Sequence, residues 1–343
     1  MIRVRRAILF AALGCVSCQP SGVETPGVAP TPVPQGVAAD IAYLASEKLG
    51  GRKTGTAEND SAAAYIAHHY EHLGLHGGFG ADCIASAACN PEWFQFFHTR
   101  GLAAQNIAVI IPGTDSALRG RYVIVGAHYD HLGRAPDTAS SMGFSSGRGS
   151  LTSRGGTTRR TPERPRELDA GQIRPGADDN ASGTAALMEL GRRLAAHPAR
   201  VSVLLVHFDA EELGMLGSGV FVDHPAVPRA SVILMINLDM VGRLRNATLT
   251  VDTSVARGAV GTLVSTAATA AGLRAVYSSE ETADRSDHAS FGRAGIPAVA
   301  LFTGMHEDYH RASDVAERIN VRGLELVIDV VETMVRALPA PPR

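Results

Sequence analysis

Five residues able to ligate a metal are spread over about 180 residues of this chain, most of them just behind apolar runs. They are His128 in Gly-Ala-His-Tyr-Asp-His-Leu-Gly, Asp179 in Gly-Ala-Asp-Asp-Asn-Ala-Ser-Gly, Glu212 in Phe-Asp-Ala-Glu-Glu-Leu-Gly, Asp239 in Ile-Asn-Leu-Asp-Met-Val-Gly, and His310 in Asp-Tyr-His-Arg-Ala-Ser-Asp. Two imidazoles and three carboxylates suit a pair of zinc ions. Each ion takes one His and one terminal carboxylate, and the third carboxylate bridges both. Two Zn²⁺ bring four positive charges and the carboxylates cancel three, so one remains to hold a hydroxide. Those are the parts of a hydrolytic site.

Each residue taken singly has a plainer reading. His128 and Asp130 could form a surface pair, or Asp130 could hold the imidazole tautomer of a ligating His128. Asp179 could cap a helix or close an Asx-turn. Glu211 and Glu212, adjacent after Val-Leu-Leu-Val-His-Phe, would repel each other unless a cation or proton intervened. His310 is one of 13 histidines. The joint occurrence in this order is what points to a metal centre.

The elements that must carry these residues alternate. Helical periodicity covers Ile41 to Leu49 and Ser61 to Leu73, and short β-rich runs cover Ile107 to Ile111 and Tyr122 to Ala127. Gly183 to Ala196 reads as an amphipathic helix. It is followed by a strand Val201 to Phe208, a helix Leu216 to Val222, strands Val232 to Leu238 and Thr248 to Val251, and a helix Val260 to Ala271. A strand Ala298 to Phe302 and a helix Val321 to Leu338 close the series. Continuous apolar strands alternating with helices predict an α/β fold: one αβα sandwich, a mostly parallel mixed sheet with helices on both faces. Sites in such sheets form beyond the carboxyl ends of the strands, where His128, Glu211, Glu212 and Asp239 lie, while Asp179 directly precedes a helix.

With these motifs the chain resembles the co-catalytic di-zinc aminopeptidases of the secreted bacterial leucyl aminopeptidase type. Their superfamily includes glutamate carboxypeptidase II, the transferrin receptor ectodomain and glutaminyl cyclase. The likeness runs from about Ala39 to Ala337 and takes in Leu49-Gly-Gly-Arg52-x-x-Gly55 and Gln105-Asn106-Ile-Ala-Val. It implies a zinc exopeptidase in which His128 and Asp239 hold one zinc, Glu212 and His310 the other, and Asp179 bridges, being fourth in Gly-x-x-Asp where Asp178 is the alternative. It also implies Glu211 as the general base and a Tyr309 hydroxyl at the oxyanion, with Asp287 and His288 of Ser286-Asp287-His288 supporting the site alongside Asp130. Carboxypeptidase and dipeptidase activities stay open. A glutaminyl cyclase-like acyltransferase would have Trp beside the last His, where this chain has Tyr309; its only Trp is Trp93.

Composition frames this reading. The 343 residues are 45% hydrophobic and 19% charged with a net charge of −2, which supplies a full core and no basic field for nucleic acid. Peptide substrates and a monomer are expected. Residues 1–18, with Arg3, Arg5 and Arg6 ahead of the apolar Ala7 to Leu13, read as a signal peptide whose Cys15 or Cys18 is a lipidation site, so an exported lipoprotein or a secreted protein is expected. Residues 19–36 read as a Pro/Gly-rich tether to a peptidase domain over 37–339. Cys83 and Cys89 are spaced for a local disulfide or stand as two free thiols, and no catalytic role is expected of them. Between the His128 and Asp179 motifs, residues 134–175 form a Ser-, Gly- and Arg-rich insertion with eight arginines, expected to be mobile and either a lid or a passive loop.

Overall fold

The computed structural model describes residues 36–79, 93–136, 169–253, 258–278 and 285–338. Cys15, Cys18, Cys83, Cys89 and residues 137–168 of the insertion lie outside them. Helices α1 (Val37–Leu44) and α2 (Ala57–His72) open the fold, α2 starting where Thr56 accepts from the Asn59 amide at 3.3 Å. Strands β1 (His76–Gly77), β2 (Phe94–Thr99), β3 (Leu102–Ile111) and β4 (Tyr122–His128) follow, then α3 (Gly183–Ala196), β5 (Ser202–Phe208) and α4 (Leu216–Asp223). The rest comprises β6 (Val232–Leu238), β7 (Thr248–Thr253), α5 (Gly258–Ala270), β8 (Arg274–Tyr277), α6 (His288–Arg293), β9 (Ala298–Phe302) and α7 (Val321–Ala337).

The strands form one sheet in the order β1-β3-β5-β4-β6-β9-β7-β8, with β2 also paired to β3. Its centre, β5-β4-β6-β9, is parallel, as is β7 with β8. The expectation of a mostly parallel sheet holds for that centre. Both arms reverse, because β3 runs antiparallel to β1, β2 and β5, and β7 antiparallel to β9. The β2–β3 reversal is a two-residue hairpin at Arg100 and Gly101, both at positive φ, which matches the right-handed strand twist. It escaped the sequence reading along with β8 and the six-residue α6.

Alternation along β5 sorts the core into two layers. Val203 and Leu205 pack with α1, α2, α3, α5 and α7, represented by Leu44, Ile66, Leu187, Val264 and Val331. Leu204, Val206 and Phe208 pack on the other face with Phe221 of α4 and Phe291 of α6. Burial on both faces is why these strands read as unbroken apolar runs. Gly126 in β4 is required by that packing, since a Cβ there would come within 3.0 Å of Met235 and collide with the Phe208 ring. Among the described residues no helix is long and apolar enough to cross a membrane.

Candidate metal centre at the strand ends

The parallel central strands all end at one edge, and four chain segments leave it side by side. His128 is the last residue of β4, Glu211 and Glu212 lie just past β5, Asp239 follows β6, and His310 sits in the loop after β9. Asp179 enters from the turn before α3, fixed by Asn180, whose amide donates to Leu238 O at 2.9 Å and whose carbonyl accepts from the Met240 amide at 3.2 Å. Ala210, Met240 and His310 have positive φ (59°, 51° and 59°), a strained conformation that aims the neighbouring side chains across the gap.

The five residues converge. His128 Nε2 lies 3.4 Å from Asp179 Oδ1 and 3.5 Å from Asp239 Oδ1, and His310 Nε2 lies 3.1 Å from Asp179 Oδ2 and 3.3 Å from Glu212 Oε2. The Asp179 carboxylate thus turns one oxygen to each imidazole. Asp178 does not compete: its oxygens accept from the Gly242 amide at 2.7 Å and Ser182 Oγ at 3.1 Å, and His306 Nε2 is 3.1 Å away. His128 Nε2, His131 Nε2, His310 Nε2 and Asp239 Oδ1 are buried without a hydrogen bond among the described residues. Two groups that share Asp179, His128 with Asp239 and Glu212 with His131 and His310 beside it, fit a pair of zinc ions.

The surrounding hydrogen bonds set this geometry. His128 Nδ1 faces the Asp130 carbonyl at 3.2 Å and the Asp130 carboxylate at 3.6 Å, which leaves Nε2 free to ligate. The carboxylate of Asp130 is committed elsewhere, to the Glu211 amide at 3.0 Å, the Glu212 amide at 3.3 Å and Thr54 Oγ1 at 3.2 Å. Asp314 accepts from the amides of Asp178 at 2.9 Å and Asp179 at 3.1 Å, and from Arg243 at 2.8 Å. Arg52, fully buried, donates to the carbonyls of Leu44, Tyr129 at 2.8 Å, Pro175 at 2.7 Å and Gly176 at 3.0 Å. Burial pulls that guanidinium down to about 10, against the opposing pull of Asp179, Asp130, Asp314 and Glu212.

Burial and neighbouring charge explain the remaining shifts. Burial pushes Glu211 well above the usual carboxylate range, His128 opposes this, and Glu212, Asp287 and Asp239 add to it. Burial likewise raises Asp287 to about 7, opposed by His128 and Ser218 and aided by Asp130 and Asp239. For His310 burial disfavours the cation, yet Asp179 and Glu212 outweigh it and hold the imidazole up at about 10. The Tyr309 ring stacks on His310 with centroids 3.8 Å apart, and its phenol is held above its ordinary range by burial and by the carboxylates of Asp179, Glu212, Asp239 and Glu211. His288 turns away from this cluster, with Nε2 3.6 Å from Asp252 on β7.

Three residues of the centre had no assigned role in the sequence reading. His131 lies against Glu212 at 2.8 Å, Asp314 ties down the Asp179 turn, and Arg52 lies beneath it. All three sat inside segments already singled out, but their partners are distant in sequence.

Fold and site together define an α/β protein whose strand ends carry carboxylates and imidazoles able to hold metal ions. The family model for peptidase family M28 matches residues 106–335, and the chain belongs to that family. It is 32% identical over 177 residues to aminopeptidase YwaD of Bacillus subtilis (strain 168), covering 49% of this chain and 38% of that protein. It is also 32% identical over 157 residues to leupeptin-inactivating enzyme 1 of Streptomyces exfoliatus, covering 44% and 34%. The chain thus spans well under half the length of these two relatives. A Zn-dependent exopeptidase from Parabacteroides distasonis has the same fold, with a TM-score of 0.64 at 20% identity over 89% of this chain and 100% of that one. So does a leucine aminopeptidase precursor from Bacteroides thetaiotaomicron, with a TM-score of 0.62 at 19% identity over 90% and 99%.

Proposed function

We propose that this chain is a zinc-dependent aminopeptidase with two metal positions, one held by His128 and Asp239, the other by Glu212 and His310, and bridged by Asp179. The observation that carries this reading is the Asp179 carboxylate, with one oxygen 3.4 Å from His128 Nε2 and the other 3.1 Å from His310 Nε2. Family membership and the names of the relatives support the reaction class. Bound zinc lowers the pKa of water from about 15.7 toward ~7 and polarises a carbonyl.

The chain supplies the rest. Glu211, made basic by its burial among Glu212, Asp287 and Asp239, takes a proton from the attacking water and delivers it to the leaving amine. Asp130 fixes the backbone on which Glu211 stands. The Tyr309 hydroxyl donates to the carbonyl oxygen as it gains charge, and the stacked His310 ring limits where that hydroxyl can be. The arginine-led N-terminus supports export, with Cys15 or Cys18 carrying a lipid.

The test is a substrate panel on the purified chain. Aminoacyl-p-nitroanilides with a free amine are cleaved, a strong chelator abolishes cleavage, and Zn²⁺ restores it. Equal cleavage of N-acetylated substrates, or release of C-terminal residues from blocked peptides, would replace aminopeptidase with another exopeptidase. Two zinc ions per active chain are expected, and full activity with none or one would remove the paired centre. For the anchor, a Cys15→Ser chain that is still processed and membrane-bound would move the lipid to Cys18.

A further inference from the structure

The two metal positions are not equivalent, and the difference comes from His131. This residue is 1% exposed, and its backbone is fixed by an amide bond to the Arg52 carbonyl at 3.1 Å and a bridge between residues 53 and 131. Its ring lies between the His310 imidazole, with centroids 5.6 Å apart, and the backbone of Gly176, where a Cβ would come within 2.6 Å of the ring. Nδ1 faces Glu212 Oε1 at 2.8 Å. A carboxylate in this pairing can only accept, so Nδ1 carries the proton.

Distances separate a ligand from a positioning residue. Two donors on one tetrahedral zinc, each roughly 2.0–2.1 Å from the ion, stand roughly 3.3–3.4 Å apart. The pairs His310–Glu212 at 3.3 Å, His128–Asp179 at 3.4 Å and His128–Asp239 at 3.5 Å lie close to that spacing, and His310–Asp179 at 3.1 Å is somewhat closer. His131 differs: its Nδ1 makes a hydrogen bond to Glu212 at 2.8 Å and lies 3.8 Å from Asp179, while its Nε2 is buried with no hydrogen-bond partner among the described residues. The Glu212 carboxylate is therefore divided, with Oε1 held by His131 and Oε2 presented beside His310. Asp239, the corresponding carboxylate at the other position, has its Oδ1 buried with no hydrogen bond among the described residues.

We infer that His131 is a positioning residue that holds Glu212 with one oxygen turned to the metal, making the Glu212–His310 position the tighter zinc site and the first to fill. The inference rests on the ligand pairing proposed above. Losing such an outer partner costs about 10- to 100-fold in metal affinity.

The experiment is zinc titration of the metal-free full chain against a chromophoric chelator, for the parent, His131→Ala and His131→Asn. In His131→Ala the tighter of two binding constants weakens by roughly 10- to 100-fold while the other is unchanged. His131→Asn recovers much of the loss, because its Nδ2 can occupy the place of Nδ1 and donate to Glu212 without offering zinc a nitrogen. A cooperative thermal transition of each metal-free variant confirms folding, and His131→Gln replaces the Ala variant if that chain does not fold. Unchanged constants in the disrupted variant overturn the inference. So does an Asn variant as weak as the Ala variant whose Co²⁺ spectrum has lost a nitrogen donor relative to the parent, since His131 would then be a ligand. A parent that binds other than two zinc ions refutes the ligand pairing instead.

Discussion

Asp314→Asn changes one atom and breaks the link between the two loops that carry Asp179 and His310. The Asp314 carboxylate accepts three hydrogen bonds, from the amides of Asp178 and Asp179 on one oxygen and from Arg243 on the other. An Asn at this position can face its carbonyl to the two amides, but its NH₂ then meets the Arg243 guanidinium, donor against donor; flipping it moves the conflict to the amides. No orientation satisfies both sides. Hydrogen bonds to a charged group contribute about 1.5–3 kcal/mol and neutral ones about 0.5–1.5, so the two amide bonds lose about 1 kcal/mol each and the Arg243 bond about 2. Arg243 retains Asp308 at 3.3 Å. The expected cost is about 4 kcal/mol, within the range for breaking a buried pair. That is a fall in melting temperature of roughly 10 °C for a domain this large, read by calorimetry on the metal-free chain. The additional stabilisation on adding zinc should also shrink, because the Asp179 turn is less firmly held. In the double variant with Arg243→Met the donor conflict is gone, so the cost should be less than the sum of the single ones. A melting temperature and zinc response equal to the parent's would refute the account of Asp314 as the tie between the loops.

Glu211→Gln keeps the shape and the backbone bond to Asp130 but cannot take a proton, so kcat should fall about 10²- to 10⁴-fold with two zinc ions still bound, and near-normal turnover would assign the proton elsewhere. In the metal-free chain His310 is held up at about 10 against an unfolded value of about 6.5, so its contribution to stability is full below ~6.5 and is lost as pH rises toward 10. Burial raises Glu211 and Asp287, which acts in the same direction but from lower pH, between about 4 and about 7 for Asp287, so the metal-free melting temperature should decline from there up toward pH 10, while zinc binding at neutral pH should release protons to a weakly buffered solution. Replacing Ser140 to Arg166 with a short Gly-Ser linker should leave zinc content and small-substrate cleavage intact, because Ala135 and Arg174 are already bonded across the base of the insertion to Gln172 and Gly133 at 2.8 and 3.0 Å. Loss of metal in that chain would make the segment part of the core.

What was legible in the sequence follows from how local each signal is. Helix α3 and strands β6 and β9 occupy the residues that periodicity and apolar runs predicted, since a strand buried on both faces is apolar along most of its length. Strand β2, at the sheet's edge and half-exposed along its length, carries no such run, and α6 spans less than two turns. The site divides the same way. The five converging residues each sit beside a strand end or helix start and were visible as motifs. His131, Arg52 and Asp314 differ because their contacts span 81, 124 and 135 residues, and nothing near them in the chain specifies a partner. Asp130 shows the same limit, since its carboxylate serves the Glu211–Glu212 backbone more closely than the imidazole two residues away.

The Arg52 guanidinium joins the end of α1, the residue after His128 and the segment just ahead of the Asp179 turn through four backbone carbonyls. A cation so deeply buried is tolerable only while all of these acceptors are present at once. None of the three segments can open separately without stranding that charge, so they should behave as a single unit in hydrogen exchange. The amides of residues 176–179 and 129–131 would then exchange only in the openings that also release the first helix. Trimming the chain into α1 would be felt at the Asp179 turn, against which the first helix packs, as faster metal escape.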